Sequence, residues 1–204
     1  MSSPMKSRNP FFVNEEDSPA KQAILKASLS LFVRQGLDGT SIRDIASEAG
    51  YSNPAMFKHF AGKDDLAQYL FVSCYQHLVF CLFNGMNYHA PFDGNLKLLV
   101  KRATHFIDES LDAFLFVQDN LRHFWPLVGS ELREQSMIGL LRRLLEEGRK
   151  QGAVASDVPL ELQVSGLSGT MAQFARLLYF REIKGSARDS SEALLVLMVR
   201  MLGK

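Results

Sequence analysis

The chain has 204 residues, 47% of them apolar, and its 23 basic and 22 acidic side chains leave a formal charge of +1. That length suits one large domain or two small ones, and the apolar share suffices for a real core, which excludes a disordered chain. Near-cancelling charge argues neither for nor against nucleic acid, because what matters there is where the positive groups sit.

Residues 1–17 mix Pro, Ser, Lys and Glu without an apolar h-region. They read as a flexible arm and not as a secretory signal. Ser18-Pro19 then opens a helix, with Ser as N-cap and Pro at the first helical position, where its missing N–H costs nothing. Ile24, Ala27 and Leu31 stripe one face of it, Leu25 and Phe32 flank them, and Gly36 closes it. Thr40 or Ser41 caps a second helix in which Ile42, Ile45, Ala46 and Ala49 fall at i, i+3, i+4 and i+7; Gly50 ends it. Ser52 is a further N-cap, and a third helix is expected to run to about His59. A long fourth helix starts at Gly62-Lys63-Asp64.

From Leu66 to Phe92 there is no Asp, Glu, Lys or Arg, but Gln68, Ser73, Gln76, His77, Asn84 and Asn87 interrupt the stretch. A membrane span needs about 20 predominantly apolar residues, so this is read as a buried helix, with no membrane partner. Cys74 and Cys81 would lie ~10 Å apart by helical rise, too far for a disulfide. Two reduced core thiols in a cytoplasmic protein are expected. After a loop over Gly85–Gly94, helices are expected near Asn95–Leu111, Asp112–Phe124 and Ser130–Gln151. A loop over Gly152–Pro159 and two apolar helices, Leu160–Lys184 and Ser190–Leu202, finish an all-α chain.

A helix, a short glycine turn and a second helix have the helix-turn-helix spacing, in which the second helix is offered to the major groove. Ala46 is small where the helices cross, and Met56 and Phe60 would face inward. Asn53, Pro54, Ala55, Phe57 and Lys58 are left on the outer side. Spacing alone leaves open a packed helix pair that never meets DNA.

The stretch "AILKASLSLFVRQGLDGTSIRDIASEAGYSNPAMFKHFAGKDDL", Ala23 to Leu66, resembles the DNA-binding domain of the TetR family of bacterial transcription regulators. The matching features are Ala27, Leu31-Phe32, Gly36, Thr40-Ser41, Ile45-Ala46, Ala49-Gly50, Ser52, Met56-Phe57, His59-Phe60 and Lys63. Beyond Leu66 the resemblance rests on architecture. It implies an N-terminal three-helix helix-turn-helix domain over 18–65 and a helical ligand-binding and dimerisation domain over 66–204. It also implies that Thr40, Ser41, Arg43 and Lys63 meet phosphates, Lys63 helped by the free amides of its helix start. Ser52, Asn53, Pro54 and Ala55 would lie nearest the base edges, with Phe57, Lys58 and His59 alongside. Asn53 can pair bidentately with adenine, and Pro54 or Ala55 can touch a thymine methyl.

Three departures stand out. Phe57 occupies a position where the family usually has Tyr, Pro54 replaces a common Gly, and Ser18–Asp65 carries only six basic against five acidic residues. Weak non-specific affinity and reliance on a dimer are expected.

In the second half, Leu167, Met171, Ala175 and Leu178, with Leu194, Leu197, Met198 and Met201, recur at helical spacing. They read as a four-helix homodimer interface, or else as plain core. Such a dimer would read a palindromic operator in double-stranded DNA. The crowded aromatics are mostly core, but the resemblance implies a pocket among helices four to eight. Its expected lining is His77, Phe80, Phe106, Gln118, His123, Phe124, Trp125, Gln173 and Phe174, around a small, largely apolar ligand. His77, His105 and His123 lack a supporting carboxylate or cysteine spacing, so no metal or cofactor is expected. Without a nucleophile elbow, zincin or phosphate-loop motif, no catalytic residue is assigned. The expected function is a ligand-responsive regulator, a repressor released by its ligand. The rivals are a same-fold architectural or partner-bound DNA-binding protein and an apolar-ligand binder without DNA.

Overall fold

The computed structural model describes residues 11–14 and 16–203. Residues 1–10 and 15 of the expected arm lie outside them. Within the rest of that arm, Phe12 and Val13 are buried. All regular structure among the described residues is helical. The chain divides into an N-terminal unit ending at Tyr75 and a C-terminal unit from Gln76 onward, the division falling inside one helix.

In the first unit, α1 spans Pro19–Gln35, and its cap Ser18 accepts a hydrogen bond from the Lys21 amide. Ile24, Leu25, Ala27, Leu31 and Phe32 are buried, as the periodicity predicts. α2 spans Ile42–Ala49 and starts on a capping box. The Asp44 amide donates to Ser41 Oγ at 3.2 Å, and the Ser41 amide donates back to Asp44 Oδ2 at 2.9 Å. Gly50 ends α2 in the left-handed region, at φ 74° and ψ 27°, where a side chain would be strained.

α3 is shorter than expected, Asn53–Phe57, and Ser52 gives it no side-chain cap bond. The reason is local. A cap hydroxyl serves the second or third helical amide. Here the second is Pro54, which has none, and the third, Ala55, already donates to Ser52 O at 3.0 Å. Beyond Phe57 the amides of His59 and Phe60 both turn back onto Met56 O, which tightens the chain out of the helix. Met56 and Phe60 are buried.

α4 spans Lys63–Phe83. It is one helix of the described residues long and apolar enough to cross a membrane, and more than half of its apolar window is buried inside the protein. That is the pattern of a core helix. Cys74 and Cys81 are both free thiols.

In the second unit, α5 spans Phe92–Phe124 and begins before the expected Asn95 because Gln151 Oε1 accepts the Phe92 amide at 2.9 Å. It is broken once, at Ser110 (φ −150°, ψ 47°), close to the division expected after Leu111. The helix expected over Ser130–Gln151 is two, α6 (Ser130–Glu134) and α7 (Met137–Lys150). Ser136 starts the second by accepting the Gly139 amide, a fresh N-cap between a polar stretch and the apolar Met137-Ile138. α8 spans Leu160–Tyr179 and stops short of Lys184. There Arg181 adopts φ 61°, and the Glu182 and Ile183 amides both fold back to Leu177 O. α9 spans Ser191–Met201.

Candidate nucleic-acid interface and ligand cavity

The three-helix head holds its short α3 by its inward face alone. Met56 is buried completely, and the opposite side stands free: Ser52, Asn53, Pro54, Phe57 and Lys58 are all exposed. Phe57 keeps 53% of its surface in solvent, unusual for so large an apolar side chain. Ala55 and His59 are half-buried. His59 Nε2 lies 3.2 Å from Ser18 Oγ, tying the end of α3 to the start of α1.

At the start of α2, Ser41 and Arg43 are exposed. Arg34 and Lys21 are neutralised by Glu48 at 3.0 Å and Asp17 at 2.7 Å. Arg43 and Lys58 make no ion pair among the described residues, so they are the cations this face can offer to a phosphate.

Two expected phosphate contacts are placed otherwise. Thr40 is buried, and its hydroxyl donates to Gly36 O at 2.8 Å. The Lys63 ammonium donates to Leu37 O at 2.7 Å and to Thr40 O at 3.0 Å, so it braces the turn between α1 and α2. Both bonds cross a loop, which is why the motif alone did not reveal them. Conversely, Tyr51, read from sequence as a mere bridge, is exposed next to this face. Its place directly after the turn glycine was the available signal.

In the second unit a cavity of about 40 Å³ is lined chiefly by Leu82, Leu99, Phe114, Met137, Met171 and Met198, with Gln118 and Ser168 as its polar groups. Of the nine residues expected at a pocket only Gln118 lines it. Phe80 is 59% exposed, and His123 and Gln173 are exposed as well. Phe106, Phe124 and Phe174 are buried elsewhere in the core, and Trp125 sits in a short 3₁₀ turn. His77 is half-buried, its ring beside Phe106 and its Nε2 3.4 Å from Cys81 Sγ; burial lowers its pKa. Single-sequence periodicity separates inward from outward, but it does not tell which inward residues leave a void between them.

The expected interface is also corrected in part. Leu167, Ala175, Leu194 and Met198 are buried within the single chain and have little area left to give a partner. Leu197 is 51% exposed, and Val196 beside it and Leu162 on α8 are likewise exposed. Met171, Leu178 and Met201 are half-buried.

Residues 24–70 match the family model of bacterial regulatory proteins of the tetR family. The chain is 27% identical over 168 residues, 75% of its length and 76% of the relative's, to the HTH-type transcriptional repressor KstR2 of Rhodococcus jostii. Its fold matches the ketosteroid transcriptional regulator KstR2 of Mycobacterium tuberculosis at a TM-score of 0.77. That match has 20% identity and covers 97% of this chain and all of that one. It also matches the transcriptional regulator FadR of Bacillus subtilis, solved in complex with stearoyl-CoA, at a TM-score of 0.64. Identity there is 18%, over 88% of this chain and 97% of that one.

Proposed function

From the premise that the chain is a TetR-family transcription regulator, we propose that it is a cytoplasmic, homodimeric repressor that leaves a palindromic operator when a small, largely apolar ligand binds its second unit. One observation carries the reading: the outer side of α3 keeps Asn53, Pro54, Phe57 and Lys58 exposed on a helix whose inner side is fully packed. Such a helix can enter a groove without losing its own support. Asn53 reads adenine, Pro54 supplies apolar bulk near a thymine methyl, and Lys58 with Arg43 meets phosphates. Lys63 acts one step back by holding the turn that presents Ser41 and Arg43.

Ligand response would pass through α4. Leu82 near its end lines the cavity, and Lys63 at its start grips the α1–α2 turn. A ligand that prefers one setting of this helix shifts DNA affinity by about 5–150-fold, a coupling of ~1–3 kcal/mol. The cavity must enlarge for this, and Met137, Met171 and Met198 in its wall are side chains that repack readily.

The small cavity favours a second reading: a DNA-binding protein of the same fold that answers to a protein partner or to nothing. The double variant Asn53→Ala, Lys58→Ala tests the DNA-reading claim common to both. Loss of DNA retention with unchanged melting temperature is expected; each base contact removed costs about 1–3 kcal/mol. Undiminished retention of the same fragments would refute the assignment to α3.

A further inference from the structure

A groove of about 630 Å³ runs along α5 and the beginning of α9 in the second unit. Its α5 wall carries Lys97, Lys101 and Thr104 at i, i+4 and i+7, with Arg102 and His105 beside them. Lys97 and Lys101 are exposed, and neither ammonium has an ion-pair or hydrogen-bond partner among the described residues. Arg102 is half-buried and donates to Leu82 O at 3.1 Å. Arg188 on the opposite wall is held by Asp108 and Glu109, and His105 by Glu109, so these two are already compensated. Against the free lysines stand Asp189, which accepts the Ser186 amide, and Glu192. Lys97, Lys101 and Arg102 outnumber the lining carboxylates Asp189 and Glu192, and all three stand on one stretch of α5.

The same helix separates the groove from the apolar cavity. Leu99 and Ala103 face the cavity, Lys97 and Lys101 the groove, and Val100 lines both. Val100 therefore borders both a basic surface large enough for a ligand head, pockets commonly measuring ~300–1,000 Å³, and an apolar void walled by methionines.

We propose that the groove binds the anionic head of an amphipathic ligand, with Lys97, Lys101 and Arg102 as its contacts, and that the ligand's apolar tail passes Val100 into the cavity. This deepens the ligand-responsive reading above and rests on it. Charge-assisted bonds fix the head, and apolar burial holds the tail. The enlargement that the cavity needs is then driven from a site already open to solvent.

The test uses the full chain and three probes: octyl phosphate, octan-1-ol and inorganic phosphate, titrated calorimetrically into the wild type and into Lys97→Gln, Lys101→Gln. Both lysines are exposed, so the variant should melt with the wild type. The expected result is that octyl phosphate binds more tightly than either fragment and weakens about tenfold or more in the variant. Octan-1-ol should bind both proteins alike. Equal octyl phosphate affinity in the two proteins, or no binding at all, would overturn the head site. Inorganic phosphate matching octyl phosphate would overturn the tail's path. DNA retention by the variant is measured in parallel. It should persist, because both lysines lie outside the DNA-binding unit, so loss of the head site leaves the DNA-reading assignment standing.

Discussion

Pro54 has two consequences at once. It fixes the first turn of α3, and by lacking an amide it removes the bond that Ser52 would otherwise make, so α3 is held by Met56 and by the turn around it. The rigid, exposed Asn53-Pro54 pair follows from adjacent residues, and it was legible from the sequence. Thr40 and Lys63 were not, because the carbonyls that draw them inward belong to Gly36, Leu37 and Thr40 in a turn whose path no periodicity predicts. At this scale Asp44 supplies a test. The Ser41 side chain and amide hold its carboxyl below its ordinary pKa of 3.8. A group depressed in the folded state contributes stability above the unfolded pKa and loses it as pH falls through the folded one. The wild type should therefore lose stability more steeply than Asp44→Ala below about pH 3.8. Parallel acid limbs in urea melts would show that the capping box carries no such linkage.

Among the elements, start signals read better than ends. Ser18-Pro19, Ser41 and Gly50 act locally and do what their chemistry predicts, whereas the chain leaves α8 through Arg181, a residue that gives no hint of left-handed backbone. The break between α6 and α7 has a visible agent, Ser136, an N-cap placed directly before the apolar Met137-Ile138. α5 begins early for a reason outside itself, the Gln151 side chain, 59 residues away in sequence but adjacent in space. That end of α7 is tightly fitted: a Cβ on Gly148 would stand 2.6 Å from the Phe92 ring and 2.7 Å from Val154. Gly148→Ala should destabilise the protein by about 1–3 kcal/mol, the usual cost of overpacking. A shifted urea midpoint at unchanged slope would register it; an unchanged midpoint would mean that Phe92 yields freely.

At the scale of the whole molecule, periodicity marked α8 and α9 as too apolar for one partner, but it assigned the wrong stripe in part. Leu167, Ala175, Leu194 and Met198 complete the chain's own core. Leu162, Val196 and Leu197 remain outside, and they are the proposed meeting surface of two protomers. Leu197→Glu should convert the dimer to monomer by light scattering and reduce operator affinity sharply, since each half-site then binds alone. A variant that stays dimeric would place the interface elsewhere.

The claim on which the rest depends is that the head reads sequence. Sheared DNA from the protein's own source, incubated with the purified chain near physiological salt and sequenced after retention, tests it most directly. The account predicts a few enriched fragments that share an inverted repeat with half-site centres about 34 Å apart. Broad retention without a common sequence, or none at all, would contradict it.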